Sequence, residues 1–249
     1  MKDKQLLKKI LLLVVAIGVI GYLVFSLFYY GRMSRNQVCE KFEVIVRDST
    51  KTKFVTKQDI VGLVKRYHLD PVGKSFGQIN TLAIRDTIMT NRLVASAQVY
   101  TTPGGSVVAA VTQRKPVLMV FSDKMGKFYV DEERSIMPYS SNFALYLPIA
   151  TGAIDAEMAR NELYDFALYL RSHPDWDAWV VQIVVRKNGD VELVPRVGDF
   201  RIVMGSLEDY PAKLAKFARF VHKGLSVVGW NRYSEINLKF DRQVVCTRK

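Results

Sequence analysis

From Ile10 to Tyr30 the chain carries no charged residue, and no second run of this kind occurs in its 249 residues. The segment ILLLVVAIGVIGYLVFSLFYY matches the roughly 20 apolar residues that a helix needs to cross a hydrocarbon layer. It predicts a single N-terminal transmembrane helix over 10–30, preceded by a cytoplasmic tail over 1–9. Lys2, Lys4, Lys8 and Lys9 against Asp3 favour keeping the tail in the cytoplasm. Arg32 and Arg35 oppose that bias, but long C-terminal portions are translocated largely regardless of charge. A cleaved signal peptide fits less well, because Phe25 to Arg32 offers no small-x-small cleavage site. Asn36, Gln37 and Val38 likewise give Cys39 no lipidation context. Tyr22, Tyr29 and Tyr30 suit the two interfaces, where aromatic rings with a polar edge are favoured.

Beyond this segment the composition is that of packed protein, with 49% apolar and 24% charged residues, and the length allows one or two folded units. Two cysteines at opposite ends, Cys39 and Cys246, exclude a disulfide framework and a zinc cluster. They are expected to be free thiols, since one lies beside the membrane segment and the other near the far terminus. Of the formal charge of +12, four lysines and one aspartate lie in the tail, so 32 basic and 23 acidic residues remain. Lys213, Lys216, Arg219 and Lys223 crowd one segment, and Lys239, Arg242, Arg248 and Lys249 another. Such a face attracts acidic partners or anionic lipid. Nucleic acid is not an expected partner of an exported domain.

Hydrophobic periodicity orders the exported part. Phe42, Val44 and Val46 alternate with Glu43, Ile45 and Arg47 as a half-buried strand ending at Asp48-Ser49. Thr56 with Asp59 makes a short capping box, Val55 and Ile60 a staple, and Ile60, Leu63, Val64 and Tyr67 a helical face. Asn80 starts a second helix with Leu82, Ile84 and Ile88 as its apolar positions. Leu93–Thr101 and Ser106–Gln113 read as strands joined across Pro103-Gly104-Gly105. Short strands follow at Val117–Phe121 and Phe128–Val130, then a helix from about Asp155 to Ser172 with Ala159, Leu163, Phe166 and Leu170 on one stripe. Val180–Val185 and Val191–Val194 flank the Asn188-Gly189 turn, and Phe200–Met204 is a further strand. Ser206 with Asp209 is expected to cap a last helix bearing Leu214, Phe217, Ala218 and Val221, stopped by Gly224. Ile236, Leu238 and Phe240, then Val244 and Val245, predict a terminal hairpin.

Residues that carry chemistry do not converge in the sequence. Gly73-Lys74-Ser75 lacks the upstream glycine and the preceding strand of a phosphate loop. His68, His173 and His222 have no metal-ligand spacing. Asp131, Glu132 and Glu133 are more simply a solvated turn than the facing carboxyl pair of a glycosidase. No serine sits in a GxSxG elbow, and Cys39 has no nearby histidine. The chain is therefore expected to be no enzyme, with no cofactor, no metal and no small-molecule substrate.

The order strand, helix, helix, strand, strand directly after one membrane span resembles a POTRA module. Phe54-Val55-Thr56, Gln113-Arg114-Lys115-Pro116, Phe128-Tyr129-Val130-Asp131, Leu147-Pro148-Ile149-Ala150-Thr151-Gly152 and Glu235-Ile236-Asn237-Leu238-Lys239-Phe240 occur in the order found in the FtsQ/DivIB cell-division family, and together they resemble it over nearly the whole chain. Glu133-Arg134 departs from the glycine that usually follows the acidic turn, and Gln113 from a commonly charged position, as in a divergent, Bacteroidetes-like member. The resemblance implies an α+β chain: a single N-terminal transmembrane helix, a POTRA-like domain over 38–114, and an FtsQ-type β domain over 115–249. The last is expected as a mixed α/β domain with an antiparallel sheet ending in a C-terminal hairpin.

The resemblance also implies function. Family members are non-enzymatic bitopic scaffolds of the divisome, in the inner membrane at the septum with periplasmic C-terminal domains. They join FtsB- and FtsL-like bitopic proteins to septal peptidoglycan synthesis. The contact zone carried over to this chain is Lys239, Phe240, Arg242, Gln243 and Val244, with Phe240 as apolar anchor and Lys239 as partner for a carboxylate. A partner segment would add to the terminal edge as a further strand. Two other readings are a POTRA-bearing export or outer-membrane assembly component and a membrane-tethered envelope enzyme.

Overall fold

The computed structural model describes residues 13–26, 35–47, 54–140 and 146–249. Residues 13–26 form a helix, α1, whose side chains are nearly all exposed. Among the described residues no helix is long and apolar enough to cross a membrane. The tail 1–9, the ends of the expected span at 10–12 and 27–30, and the Asp48-Ser49 turn lie outside the described residues. The remainder divides into two compact units between Gln113 and Arg114.

In the first unit, β1 (Lys41–Arg47), α2 (Lys57–Arg66), α3 (Thr81–Met89), β2 (Val94–Thr101) and β3 (Ser106–Gln113) follow one another. The sheet order is β1-β3-β2, with β1 parallel and β2 antiparallel to β3. Thr56 Oγ1 accepts from the Asp59 amide and the Asp59 carboxylate accepts from the Thr56 amide, which completes the capping box. Ile60, Val64, Ile84 and Ile88 are buried, as are Val107, Ala109 and Val111 of the central strand β3. Tyr67 and Leu82, expected on the apolar faces, are exposed instead, at 54% and 60%. Tyr67 is the C-cap of α2 and Leu82 sits in the first turn of α3, so both lie at helix ends, beyond the buried stripe. Gln113 is buried and its Oε1 accepts from the Val55 amide at 2.8 Å, tying the entry of α2 to the end of β3. Gly73-Lys74-Ser75 is a structural loop, since Gly73 and Lys74 exchange backbone hydrogen bonds with Cys39.

The second unit holds β4 (Pro116–Ser122), β5 (Gly126–Asp131), β6 (Ile136–Pro138), β7 (Ile149–Gly152), α4 (Ala156–Arg160), α5 (Glu162–Ser172) and α6 (Pro174–Trp179). It continues with β8 (Val180–Val185), β9 (Val191–Pro195), β10 (Arg201–Gly205), α7 (Tyr210–Phe220), α8 (Ser226–Val228), β11 (Tyr233–Asn237) and β12 (Val245–Arg248). One nine-stranded sheet runs β12-β11-β10-β9-β8-β7-β4-β5-β6. It is mixed rather than antiparallel as expected, because β7 is parallel to both β4 and β8, and β11 is parallel to β10. Helical crossovers account for two of these pairs, α4 to α6 carrying the chain from β7 to β8 and α7 from β10 to β11, while β5 and β6 lie between β4 and β7 along the chain. Ala159, Leu163, Phe166 and Leu170 are fully buried under the sheet, together with Leu214 and Phe217 of α7.

Three local expectations are corrected. The helix expected from Asp155 to Ser172 is broken at Asn161, whose φ of −108° and ψ of −87° leave helical geometry. The N-cap of α7 is Asp209 rather than Ser206; it adopts φ +49° and makes no side-chain cap bond, and α7 opens with proline in its first turn. Gly224 does not stop the helix either, since the winding continues as a π-helix over Val221–Leu225 and reaches Gly229.

The acidic stretch at the end of β5 is not uniformly solvated. Asp131 is 2% exposed, pairs with Arg114, and accepts from the amides of Glu133 and Ser135. Both its oxygens are thus committed to closing a turn. Arg134 takes the left-handed conformation there, φ +60°, the geometry that glycine usually supplies. Its guanidinium bonds the Arg160 carbonyl and Asp165 and lies 4.4 Å over the Tyr164 ring, which offsets the backbone strain.

Candidate functional site

The end of the nine-stranded sheet follows from the last forty residues. Tyr233–Asn237 pairs in parallel with β10, and the buried Ile236 and Leu238 hold it to the core. Beyond Asn237 the chain leaves the sheet, with the Leu238 amide donating to Val203 O at 2.8 Å. It returns as β12 through a turn in which Arg242 adopts φ +60°. β12 pairs antiparallel with β11 and, among the described residues, has no other neighbour in the sheet.

This geometry corrects the extent of the terminal hairpin. Leu238 and Phe240 were expected as strand residues but belong to the connecting loop. Phe240 is 46% exposed, and Val245 is exposed as well. Val244 is partly buried against the core, while Arg242 and Gln243 are exposed. The five residues singled out from the sequence therefore share one loop leading into the free edge.

Lys239 is already engaged within the domain. Its Nζ lies 2.9 Å from Asp190 Oδ2 in the β8–β9 turn. Lys239, with a further contribution from the Asn188 amide, holds the Asp190 carboxyl below the usual carboxylate range. Because the folded value lies below the unfolded one, about 3.9, the stability contributed is complete above that value. It is lost as pH falls through the folded value. Asp190→Asn is expected to flatten this acid-side loss, seen as a smaller drop in denaturation midpoint below about pH 4 than the parent shows. Parallel curves for the two proteins would remove the pair from the acid sensitivity.

The fit of this loop to α7 depends on a residue that sequence reading grouped only with its basic neighbours. Lys216 Nζ donates to the Leu238 carbonyl at 2.9 Å and to the Phe240 carbonyl. Burial pushes its ammonium below the ordinary lysine value. The 3.6-residue spacing shows that Lys213, Lys216, Arg219 and Lys223 crowd one helix, but not which of them turns inward. Asp190 was missed altogether, since Asn188-Gly189-Asp190 signals only a turn.

Between α7 and the loop lies an open groove of about 900 Å³, lined by Lys213, Lys216, Arg219, Lys223, Lys239 and Arg242 with Glu208, Asp209 and Asp241. Lys213 is bound to Ser206, Lys216 to the loop carbonyls and Lys239 to Asp190. Among the described residues Arg219, Lys223 and Arg242 make no ion pair or side-chain hydrogen bond. These three cations remain available to an acidic segment beside the free edge. No cluster of metal-ligating side chains occurs among the described residues.

A family model described as FtsQ/DivIB, C-terminal related, matches residues 115–247, more than half of the chain. The chain belongs to the FtsQ/DivIB-related family. A model of the POTRA-like domain matches residues 37–112, in agreement with the β1-β3-β2 sheet under two helices. No curated protein sequence matches the chain. FtsQ/DivIB-related proteins are typically non-enzymatic, and membership points to a role in cell division.

Proposed function

We propose that this chain is a non-enzymatic scaffold of the bacterial divisome. It takes up FtsB- and FtsL-like bitopic proteins by strand addition at β12 and links them to septal peptidoglycan synthesis. The observation that carries this reading is the position of β12 at the end of a nine-stranded sheet, with β11 as its single neighbour among the described residues. An edge strand presents unpaired N–H and C=O groups that an extended segment can satisfy. Arg242, Arg248 and Lys249 flank the edge with positive charge, which disfavours pairing with a second copy and favours an acidic partner.

Phe240 serves as the apolar anchor, and Arg219, Lys223 and Arg242 meet carboxylates of the same partner. The charge-free run Ile10–Tyr30 anchors the chain in the inner membrane, tail inside and both domains in the periplasm, at the septum. Localisation and partners rest on the family and on the sequence, together with the free edge.

Depletion of the protein from its host is expected to give filaments with unfinished septa, and a tagged copy a midcell band. In capture assays with FtsB- and FtsL-like periplasmic segments, Phe240→Ala is expected to weaken binding about tenfold at an unchanged melting temperature. Normal division on depletion would end the divisome reading. Unchanged capture by a folded Phe240→Ala protein would remove Phe240 from the contact.

A further inference from the structure

All three tryptophans of the chain meet at one surface groove of about 550 Å³, on the other side of α7 from the basic groove. Trp179 is central, its ring centroid 5.4 Å from Phe217, 5.6 Å from Trp230 and 6.4 Å from Trp176. The three indoles are half-buried, so each keeps part of its ring in solvent. Among the described residues none of their N–H groups has a hydrogen-bond acceptor, and none is sealed from water. Asp175 and His222 are the charged and titratable residues of the lining, which Ala178, Ala218 and Val221 complete.

One wall of this groove is built at a local cost. Val221 and His222 reach it from the π-helix Val221–Leu225, a winding that is rare and recurs at functional sites. Gly224 lies within it, and a Cβ there would come 2.9 Å from the Phe220 ring, which would have to shift. Local rules are broken in natural proteins chiefly where a site requires it.

We propose that the tryptophan groove is a saccharide-binding site that takes a chain of hexopyranose rings. A pyranose has an apolar C–H face, which stacks on an indole, and a rim of hydroxyls. The rim can accept from the free indole N–H groups and donate to the Asp175 carboxylate. A purely apolar occupant would cover the same rings but leave those donors and the carboxylate without partners, which disfavours it. The preference for sugar over hydrocarbon thus follows from polar groups set around aromatic faces.

The test uses the full chain labelled with 5-fluorotryptophan in phosphocholine bicelles, where every fluorine signal reports this groove. Titration with chitotetraose, and separately with cellotetraose, is expected to move the signals saturably. Trp230→Phe, which keeps a ring but loses the N–H, and Asp175→Asn, at an exposed position, are each expected to weaken the response several-fold with the melting temperature unchanged. Response to only one of the two sugars supports the proposal and sets the ring substituents it reads. No movement with either sugar overturns it, as does a response undiminished in both variants. Movement with hexanol but with neither sugar also overturns it, because the groove would then receive an apolar side chain.

Discussion

Gly152→Ala is expected to destabilise the C-terminal domain by more than about 4 kcal/mol. Gly152 closes β7 with φ +109°, and a Cβ built on it would lie 2.1 Å from the Val185 carbonyl oxygen. The obstacle is backbone in the adjacent parallel strand β8, so no side chain can rotate out of the way. Shifting β7 would disturb both flanks, because the Gly152 carbonyl accepts from the Asp123 amide and the Val185 carbonyl from the Ala153 amide. Gly189 provides the control: it also has positive φ, +86°, but nothing lies near its added Cβ. Gly189→Ala should therefore cost only the left-handed conformation, about 1 to 2 kcal/mol. Because all three tryptophans belong to this domain, urea unfolding followed by their emission measures it alone. Equal costs for the two substitutions would mean that the close approach to Val185 is relieved by a small strand shift.

Arg248→Pro is expected to reduce capture of FtsB- and FtsL-like segments by tenfold or more while the domain stays folded. The Lys249 amide donates to Arg232 O, and the Thr247 carbonyl accepts from Ser234 Oγ, so residues 247 and 249 face β11. By the two-residue alternation of an antiparallel strand, the Arg248 amide points outward to the free edge. Proline removes that donor and blocks the approach of another backbone without touching the ladder to β11. Arg248→Ala separates the effects, since it removes the charge and keeps the amide. It is expected to lose only a small part of the affinity, more at low salt than at high salt. Equal losses for proline and alanine would replace strand addition with simple charge attraction.

How far such features are legible depends on the range of the forces that make them. The Thr56 capping box, the Asn80 cap, the Asn188-Gly189 hairpin and the buried stripe of Ala159, Leu163, Phe166 and Leu170 are set by neighbours within a few residues. The terminal candidate residues were marked as a segment by their resemblance to a family motif. Their individual roles were not. Lys239 turned out to bind Asp190, 49 residues away, and Lys216 to bind carbonyls more than twenty residues ahead. Pairs so far apart leave no periodicity to read.

Alternation, capping and turn chemistry act along the chain, so most strands and helices are readable in outline from the residues, but β7, α6 and the break at Asn161 are not. Strand order and direction emerge from long-range packing, which depends on crossovers that bring β7 between β4 and β8. It alone also carried α7 past Gly224, where burial of Leu225 outweighs the glycine's tendency to end a helix. The same long-range packing gathers Trp176, Trp179 and Trp230 and leaves β12 with an open edge. Both arise from contacts between residues that the sequence keeps far apart.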